Sequence, residues 1–222
     1  GQYDNKSTGF RMEGRGMENR RVGVTRRMSV AVGCWAVVLL LLLPRPVMAT
    51  QTPTEAVHVT MKELLYLLTE LKETSRSTQR QWEIEQVVRR AFNYEEMAER
   101  ALGEGGEKTT VADRRQFTRL FVQVLRDDLA DKLRDYSVPQ MAYLSERADG
   151  AGTQVLVAPA GRNVDTKIEF SVVQRSGRWL ISDVSIDGAS IVATYRAQFS
   201  RILREGSFSD LMEFLKQKAL VA

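Results

Sequence analysis

The chain has 222 residues, and its 32 Lys and Arg against 28 Asp and Glu give a net charge of +4 at pH 7. The positive excess lies in the first 49 residues, because residues 50–222 contain 24 basic and 25 acidic side chains and carry a net charge of −1. Nucleic-acid binders need a basic face in their folded part, so we predict no nucleic-acid partner. The 173 residues of the second segment are enough for one domain with its own core.

The first 49 residues have the features of a secretory signal peptide, and those before Met17 or Met28 resemble an over-extended start. Four arginines between positions 20 and 27 precede the apolar run 30–43, and Val47-Met48-Ala49 supplies small residues for a cleavage site. The run has 14 residues, fewer than the roughly 20 that span a bilayer, which favours cleavage over an uncleaved inner-membrane anchor. We therefore predict a cleavable leader over 1–49 and a single domain over 50–222.

Cysteine and histidine usage restricts the chemistry that the domain can perform. Cys34, the only cysteine, lies within the apolar run, so residues 50–222 have neither a disulfide nor a catalytic thiol. His58 is the only histidine, whereas a catalytic triad needs a base with a nucleophile and an orienting group, and a zinc site generally needs several ligands. The sequence has no phosphate loop, dinucleotide fingerprint or calcium loop. We predict no catalytic residue, no metal site, no cofactor and a protein that is not an enzyme.

The first half of the domain has the periodicity of helices. Thr52-Pro53-Thr54-Glu55 is a capping box that starts a first helix, and a second helical region runs to Leu102. The glycine-rich residues 103–106 indicate a flexible loop. A second capping box, Thr110–Asp113, precedes the longest apolar stripe of the chain, 117–136. This stripe predicts a central helix of about six turns.

The periodicity changes to that of strands after Pro139. Four strands are predicted, at 141–146, 153–158, 165–173 and 178–186. Short glycine-containing links between them imply an antiparallel meander. Helical spacing returns from Ile191 to Leu203 and again after a third capping box, Ser207–Asp210. The predicted fold class is α+β: N-terminal helices, a four-stranded antiparallel meander, and C-terminal helices packed on the apolar face of a curved sheet.

Asp183 and Asp187, at the end of the last strand, have the composition of a catalytic carboxylate pair. In an extended strand they would lie about 13 Å apart, at roughly 3.3 Å per residue, whereas glycosidase pairs lie about 5 to 9.5 Å apart. Asp187-Gly188 is typical of a turn, and Asp187 or Ser190 is suited to cap a following helix. We interpret the stretch as a strand that turns into a helix.

The apolar stripes of the helices and the apolar side of the sheet predict a cavity between the two layers. We hypothesise that sheet residues form one wall and helical residues form the other. The sheet wall is predicted to consist of Val155, Val157, Ile168, Phe170, Val172 and Ile181. The helical wall is predicted to consist of Phe121, Leu125, Leu129, Tyr195 and Phe199.

Several motifs, in the right order, resemble the MlaC/toluene-tolerance family. Residues 88–103 (VRRAFNYEEMAERALG) resemble the start of the family pattern, and Arg114 to Tyr136 resembles its long central helix. Residues 177–190 (GRWLISDVSIDGAS) resemble its most specific motif, which Tyr195 to Ile202 continues. The resemblance covers roughly residues 82–216.

The resemblance implies a periplasmic phospholipid carrier, an auxiliary component of an ABC transport system that acts on outer-membrane lipid asymmetry. Such a carrier is a monomer that binds acyl chains in an apolar cavity. It shuttles lipid between an outer-membrane lipoprotein–porin complex and an inner-membrane transporter whose MCE-domain subunit faces the periplasm. A related branch is associated with hopanoid biosynthesis, so a triterpenoid is an alternative cargo.

Two alternatives from other functional classes are kept open. Cone-like α+β sheets also occur in lyases and isomerases, and for an enzyme Asp183 or Tyr195 would be the residue to inspect. An envelope scaffold protein would instead show a large exposed apolar patch and no lipid.

Overall fold

The structure is a computed structural model that describes most of the predicted domain. The described residues are 51–70, 77–107, 109–136, 141–150, 152–159 and 166–221. All of them belong to one compact unit, Ala49–Ala222. The predicted leader, 1–49, lies outside the described residues.

Helices make up the first and last parts of the described chain. They are α1 (Pro53–Glu70), α2 (Ser77–Ala91), α3 (Tyr94–Leu102), a 3₁₀ helix (Gly103–Gly106), α4 (Val111–Leu133), α5 (Ile191–Glu205) and α6 (Phe208–Val221). The three predicted capping boxes are confirmed, since reciprocal side-chain and backbone hydrogen bonds join Thr52 to Glu55, Thr110 to Asp113 and Ser207 to Asp210. Within the ranges that the structure covers, no helix is both long and apolar enough to cross a bilayer.

The sheet is an antiparallel meander with the strand order β1-β2-β3-β4-β5. Its strands are β1 (Met141–Asp149), β2 (Gly152–Pro159), β3 (Ile168–Arg175), β4 (Arg178–Ile186) and β5 (Ala189–Ser190). The predicted α+β meander is confirmed, with five strands instead of four. The extra strand forms because Asp187 and Gly188 both have positive φ and turn the chain tightly back along β4. A strand of two residues leaves no alternation in the sequence by which to predict it.

A bulge at Ser182 decides which side chains of β4 face the helices. Ser171 of β3 pairs with Asp183 and Val172 pairs with Ile181, so Ser182 is an extra residue without a partner across the ladder. Ile181 and Val184 are three residues apart and both are buried. Strict alternation would place them on opposite faces, and the bulge brings them to the same face.

The helical region predicted to run unbroken to Leu102 is interrupted between α2 and α3, where it meets the bulge. Phe92 forms an isolated parallel bridge with Ile181, and the Asn93 amide donates a hydrogen bond to the Ile181 carbonyl at 2.8 Å. Arg100 of α3 donates to the Ser182 carbonyl at 3.0 Å. The backbone leaves the helical conformation here because it bonds to the sheet instead.

The glycine-rich segment 103–106, predicted as a flexible loop, is a 3₁₀ helix packed against α5. A Cβ added at Gly105 would overlap Cδ1 of Leu203. The Thr109 hydroxyl donates to the Gly106 carbonyl at 2.7 Å and closes the segment. The glycines here therefore permit close packing, and their sequence pattern alone did not distinguish this role from flexibility.

The apolar face of the sheet is covered mainly by α1, which lies against β1, β2 and β4. Helices α2, α3 and α5 pack on β4. The main packing partners of the long helix α4 are the helices α1, α2, α3 and α6. Helix α1, rather than the long central helix, is thus the direct cover of the meander.

Asp183 connects β4 to the start of α5 through a buried carboxylate that is 7% exposed. Its Oδ1 accepts hydrogen bonds from the amides of Val184 (2.8 Å) and Val192 (3.2 Å), and its Oδ2 accepts one from the Ser190 hydroxyl (2.6 Å). The Arg100 guanidinium lies 3.6 Å from Oδ2. Three hydrogen bonds and one ion pair within the protein therefore compensate this carboxylate, as expected for a buried charge.

The interpretation of this stretch as a strand that turns into a helix is confirmed. Ser190 is the N-cap of α5, and its hydroxyl accepts a hydrogen bond from the Ala193 amide at 2.9 Å. Asp187 does not cap α5 but accepts a hydrogen bond from the Lys167 amide at 2.9 Å.

Replacing Asp183 by Ala should lower the free energy of unfolding by about 3 kcal/mol, because buried donors on β4 and α5 lose a charged acceptor. Urea denaturation followed by circular dichroism measures the change. Asp149→Ala is the control, since Asp149 is exposed and accepts one hydrogen bond from Gln154; we expect a change within about 0.5 kcal/mol. Equal stability of the two variants would contradict the role given to Asp183.

Candidate functional site

The eleven side chains predicted to line a cavity are brought together in one buried cluster. None of them is more than 4% exposed, and all belong to the same hydrophobic core. The cluster consists of a sheet group and a helical group, and it is packed closed in this conformation.

The sheet group forms three directly opposed pairs across neighbouring strands. The pairs are Val157 with Ile168, Val155 with Phe170, and Val172 with Ile181. Direct opposition places these side chains on one face of the sheet, in contact with each other. The β-branched and aromatic residues suit this half-buried pleated surface, and together they make a continuous apolar wall.

The helical group is centred on three aromatic rings from α4 and α5. The ring centroids of Phe121 and Tyr195 are 5.7 Å apart, those of Tyr195 and Phe199 are 5.4 Å apart, and those of Phe121 and Phe199 are 6.4 Å apart. Leu125 and Leu129 extend this group along α4 at four-residue spacing, which keeps them on the same helical face.

Sequence reasoning missed the side chains that directly cover the sheet. Val57, Met61, Leu64 and Leu65 of α1 are buried in the same core. Their helical stripe is visible in the sequence, but a stripe does not reveal which layer it faces. Phe92 was also missed, because its place against Ile181 depends on the helix interruption described above.

A polar cleft of about 590 Å³ opens between α1, α2, α4 and α6, and none of the eleven predicted residues lines it. Its apolar lining consists of Leu68, Ile84 and Ala130. Ile84 belongs to the hydrophobic core, and Leu68 and Ala130 pack against that core. The cleft is therefore a place where solvent reaches the edge of the buried apolar cluster.

Most of the charged groups in the cleft are paired with each other. Arg126, which is 8% exposed, donates from Nε and Nη2 to both oxygens of Asp127 at 2.6 and 2.7 Å, and from Nη1 to Glu85 at 3.3 Å. Arg134 forms an ion pair with Asp131. A bidentate, buried arginine of this kind organises the helices around it, and each of its three nitrogens donates to a partner.

Two charged groups that line the cleft, and one buried hydroxyl in contact with its lining, form no ion pair or hydrogen bond with a described residue. The half-buried Asp128 carboxylate has neither a hydrogen bond nor an ion pair to any residue in the described ranges. Burial raises the pKa of Asp128, against the opposing effect of the Lys132 and Lys218 charges. The Lys218 ammonium lies over the Tyr195 ring, 5.5 Å from its centroid, and forms no ion pair with a described residue.

The hydroxyl of Tyr195 is the third such group. It is buried and has no hydrogen-bond partner in the described part of the chain. Burial raises the pKa of Tyr195, and the nearby negative charges of Asp128 and Asp127 raise it further. The hydroxyl therefore stays protonated at neutral pH and lies close to the carboxylates of the cleft.

The described residues contain no group of three or more His, Cys, Asp and Glu side chains arranged to hold a metal ion. The site combines a buried apolar cluster with a small set of polar groups that form no hydrogen bond or ion pair with a described residue. This combination suits an amphiphilic ligand.

Comparison with known proteins agrees with the motifs found in the sequence. The family model described as MlaC protein matches residues 59–217, most of the chain, and the protein belongs to this family. The match begins earlier than the resemblance read from the motifs and includes most of α1. No curated protein matches the chain.

Among solved structures, the chain is similar to a phospholipid-binding protein from Ralstonia solanacearum in complex with a phospholipid. The TM-score is 0.61, the sequence identity is 19%, and the alignment covers 77% of this chain and 97% of that chain. At this identity the likeness shows a shared fold.

Replacing Tyr195 by Phe should leave the protein without added ligand at least as stable as the wild type. We expect a gain of about 1 kcal/mol, because the variant removes a hydroxyl whose lost hydration is not replaced by a hydrogen bond. Urea denaturation provides the measurement, and Tyr143→Phe, at a partly exposed tyrosine of β1, is the control. A clear loss of stability in Tyr195→Phe alone would show that the hydroxyl has a stabilising partner.

Proposed function

We propose that this protein is a periplasmic lipid carrier that holds phospholipid acyl chains in the apolar core between its sheet and its helices. The observation that carries the proposal is the continuous buried cluster of sheet and helical side chains, in a chain of the MlaC family. The phospholipid bound to the Ralstonia solanacearum protein, which has the same fold, supports it.

The free energy of burying an acyl chain explains why a carrier is needed. Each buried CH₂ contributes about 0.8 kcal/mol, so a chain of about 16 carbons in water is disfavoured by on the order of 10 kcal/mol. A protein that covers the chains removes this barrier without any catalytic group. The charge of −1 on residues 50–222 suits brief docking better than adhesion to anionic membranes, which requires basic clusters.

The closed packing of the core means that lipid entry requires an element to move away from the sheet. Helix α3 and the segment before it are tied to β4 through the backbone of Asn93 and through Arg100, and α5 is tied to it through Asp183. Helix α1 is held differently. Its polar link to the sheet is the bond from the Thr54 hydroxyl and amide to Glu146 of β1, at 2.6 and 3.2 Å, on the exposed surface.

Exposed side-chain bonds contribute little free energy, so α1 is the cover of the sheet that opens most easily. The acyl chains then replace the side chains of α1 against the apolar wall of the sheet. In this proposal the loaded protein passes lipid between an outer-membrane lipoprotein–porin complex and the MCE-domain subunit of an inner-membrane ABC transporter. A hopanoid is the alternative cargo.

Mass spectrometry of an organic-solvent extract of residues 50–222, produced in a bacterial periplasm and purified, tests the carrier function directly. We expect near-stoichiometric phospholipid, because acyl chains held in the apolar core stay shielded from water during purification. A triterpenoid in its place would select the hopanoid alternative. Protein that is empty after purification, and still empty after incubation with liposomes, would contradict the carrier function and favour an envelope scaffold.

Glu146→Ala tests the opening of α1. Loss of the bond to Thr54, worth about 1 kcal/mol, should increase the rate of lipid uptake about fivefold. The measurement is uptake of a fluorescent phospholipid from vesicles by the lipid-free protein. Glu169→Ala is the matched control, because Glu169 lies between Ile168 and Phe170 and faces away from the helices. Equal uptake rates in both variants would show that another element moves.

A further inference from the structure

The cleft between α1, α2, α4 and α6 contains one unpaired carboxylate and one unpaired ammonium group. They belong to Asp128 and Lys218, both half-buried and both part of the lining. Half-buried charges lose hydration, and this loss is usually compensated by a partner of opposite charge. The Lys132 and Lys218 charges act on Asp128, but no ion pair joins Asp128 to Lys218, so direct contact with an opposite charge is left to a ligand.

The arginine side chains that line the cleft already have partners within the protein. Arg126 is paired with Asp127 and Glu85, Arg134 is paired with Asp131, and Arg80, the third arginine of the lining, also has a partner. The cleft therefore presents, beyond its internal pairs, one negative and one positive group. This is the pattern that complements a zwitterion.

Tyr195 is not part of the cleft lining, but it contacts Lys218, which is, and its buried hydroxyl is a second sign of a ligand. It is buried without a hydrogen-bond partner among the described residues, Lys218 lies over its ring, and Asp127 and Asp128 are close enough for their charges to act on it. A buried hydroxyl normally has a partner. A ligand oxygen that reaches past Lys218 to this hydroxyl would supply one, since a hydroxyl can donate to an anionic oxygen.

The cleft also lies at the edge of the apolar core. Ile84 and Leu68 line it and contact the buried cluster, and the helical wall proposed for acyl chains includes Tyr195 itself. A ligand with a charged end in the cleft can therefore continue into the core with an apolar end.

We propose that this cleft binds the zwitterionic headgroup of an aminophospholipid, with the ammonium at Asp128 and the phosphate at Lys218 and Tyr195. This inference rests on the proposed carrier function and specifies its cargo. A lipid with an anionic headgroup satisfies Lys218 but leaves Asp128 without a partner. A triterpenoid without a charged end satisfies neither group.

The test is lipid selection from vesicles that contain equal amounts of phosphatidylethanolamine and phosphatidylglycerol. Lipid-free protein is incubated with the vesicles and recovered, and its bound lipids are quantified by mass spectrometry. The wild type should be enriched in phosphatidylethanolamine, and Asp128→Asn, which keeps the shape of the side chain and removes its charge, should reduce that enrichment at least fivefold. Lys218→Gln should lower the total lipid bound and leave the ratio of the two lipids unchanged, because both carry a phosphate.

Asp135→Asn is the matched control, because Asp135 is an exposed carboxylate just beyond the end of α4 and outside the cleft. Thermal melting of each variant verifies that it is folded. A ratio of bound lipids that is the same in Asp128→Asn and the wild type would overturn the inference while leaving the carrier function intact. Absence of any lipid on the wild type would instead refute the carrier function, and the inference with it.

A further measurement distinguishes binding of a headgroup that belongs to a lipid from binding of the same headgroup without acyl chains. Glycerophosphoethanolamine carries the same charged groups without acyl chains. If millimolar amounts of it displace phosphatidylethanolamine from the wild type, the cleft binds free headgroups and its assignment to the lipid is wrong. Unchanged lipid occupancy is the expected result, because most of the binding free energy comes from the chains.

Discussion

The hydrogen bonds around the β4 bulge are the constraint on which the arrangement of the helices depends. The extra residue Ser182 turns its carbonyl toward Arg100 of α3, and the next residue, Asp183, holds the start of α5. One position before, Ile181 binds the backbone of the chain between α2 and α3. Three consecutive residues of one strand thus anchor both helical segments that flank the core.

The helices are therefore attached to the sheet in different ways. Those that contact the bulge are held through backbone or buried charged groups, which are costly to separate. Helix α1 covers the rest of the sheet almost entirely through apolar side chains, and apolar contacts impose little directional restraint. Helices with directional bonds to the sheet and a helix held mainly by apolar contacts thus share one continuous hydrophobic core, and this difference supports the proposed opening of α1.

Features that depend on neighbouring residues in the chain could be predicted from the sequence. The capping boxes, the Asp187-Gly188 turn and the alternation of Ile168, Phe170 and Val172 are of this kind, and all are present. The membership of the eleven predicted side chains in one buried cluster followed from the same patterns. The interruption at Phe92 could not be predicted, because it depends on a partner, Ile181, far along the chain. The cleft was missed for a related reason: four helices contribute to it, and whether a charge such as Asp128 is paired depends on how they meet.

The closed packing of the core has a consequence for the lipid affinity of the proposed carrier. Since the eleven side chains of the cluster bury one another, they present no large exposed apolar surface in this conformation. In the proposed carrier function, the free energy needed to separate these side chains would be subtracted from the affinity for lipid. In that proposal a receiving protein competes with a weakened complex, and the return of the core to its closed packing favours release of the lipid.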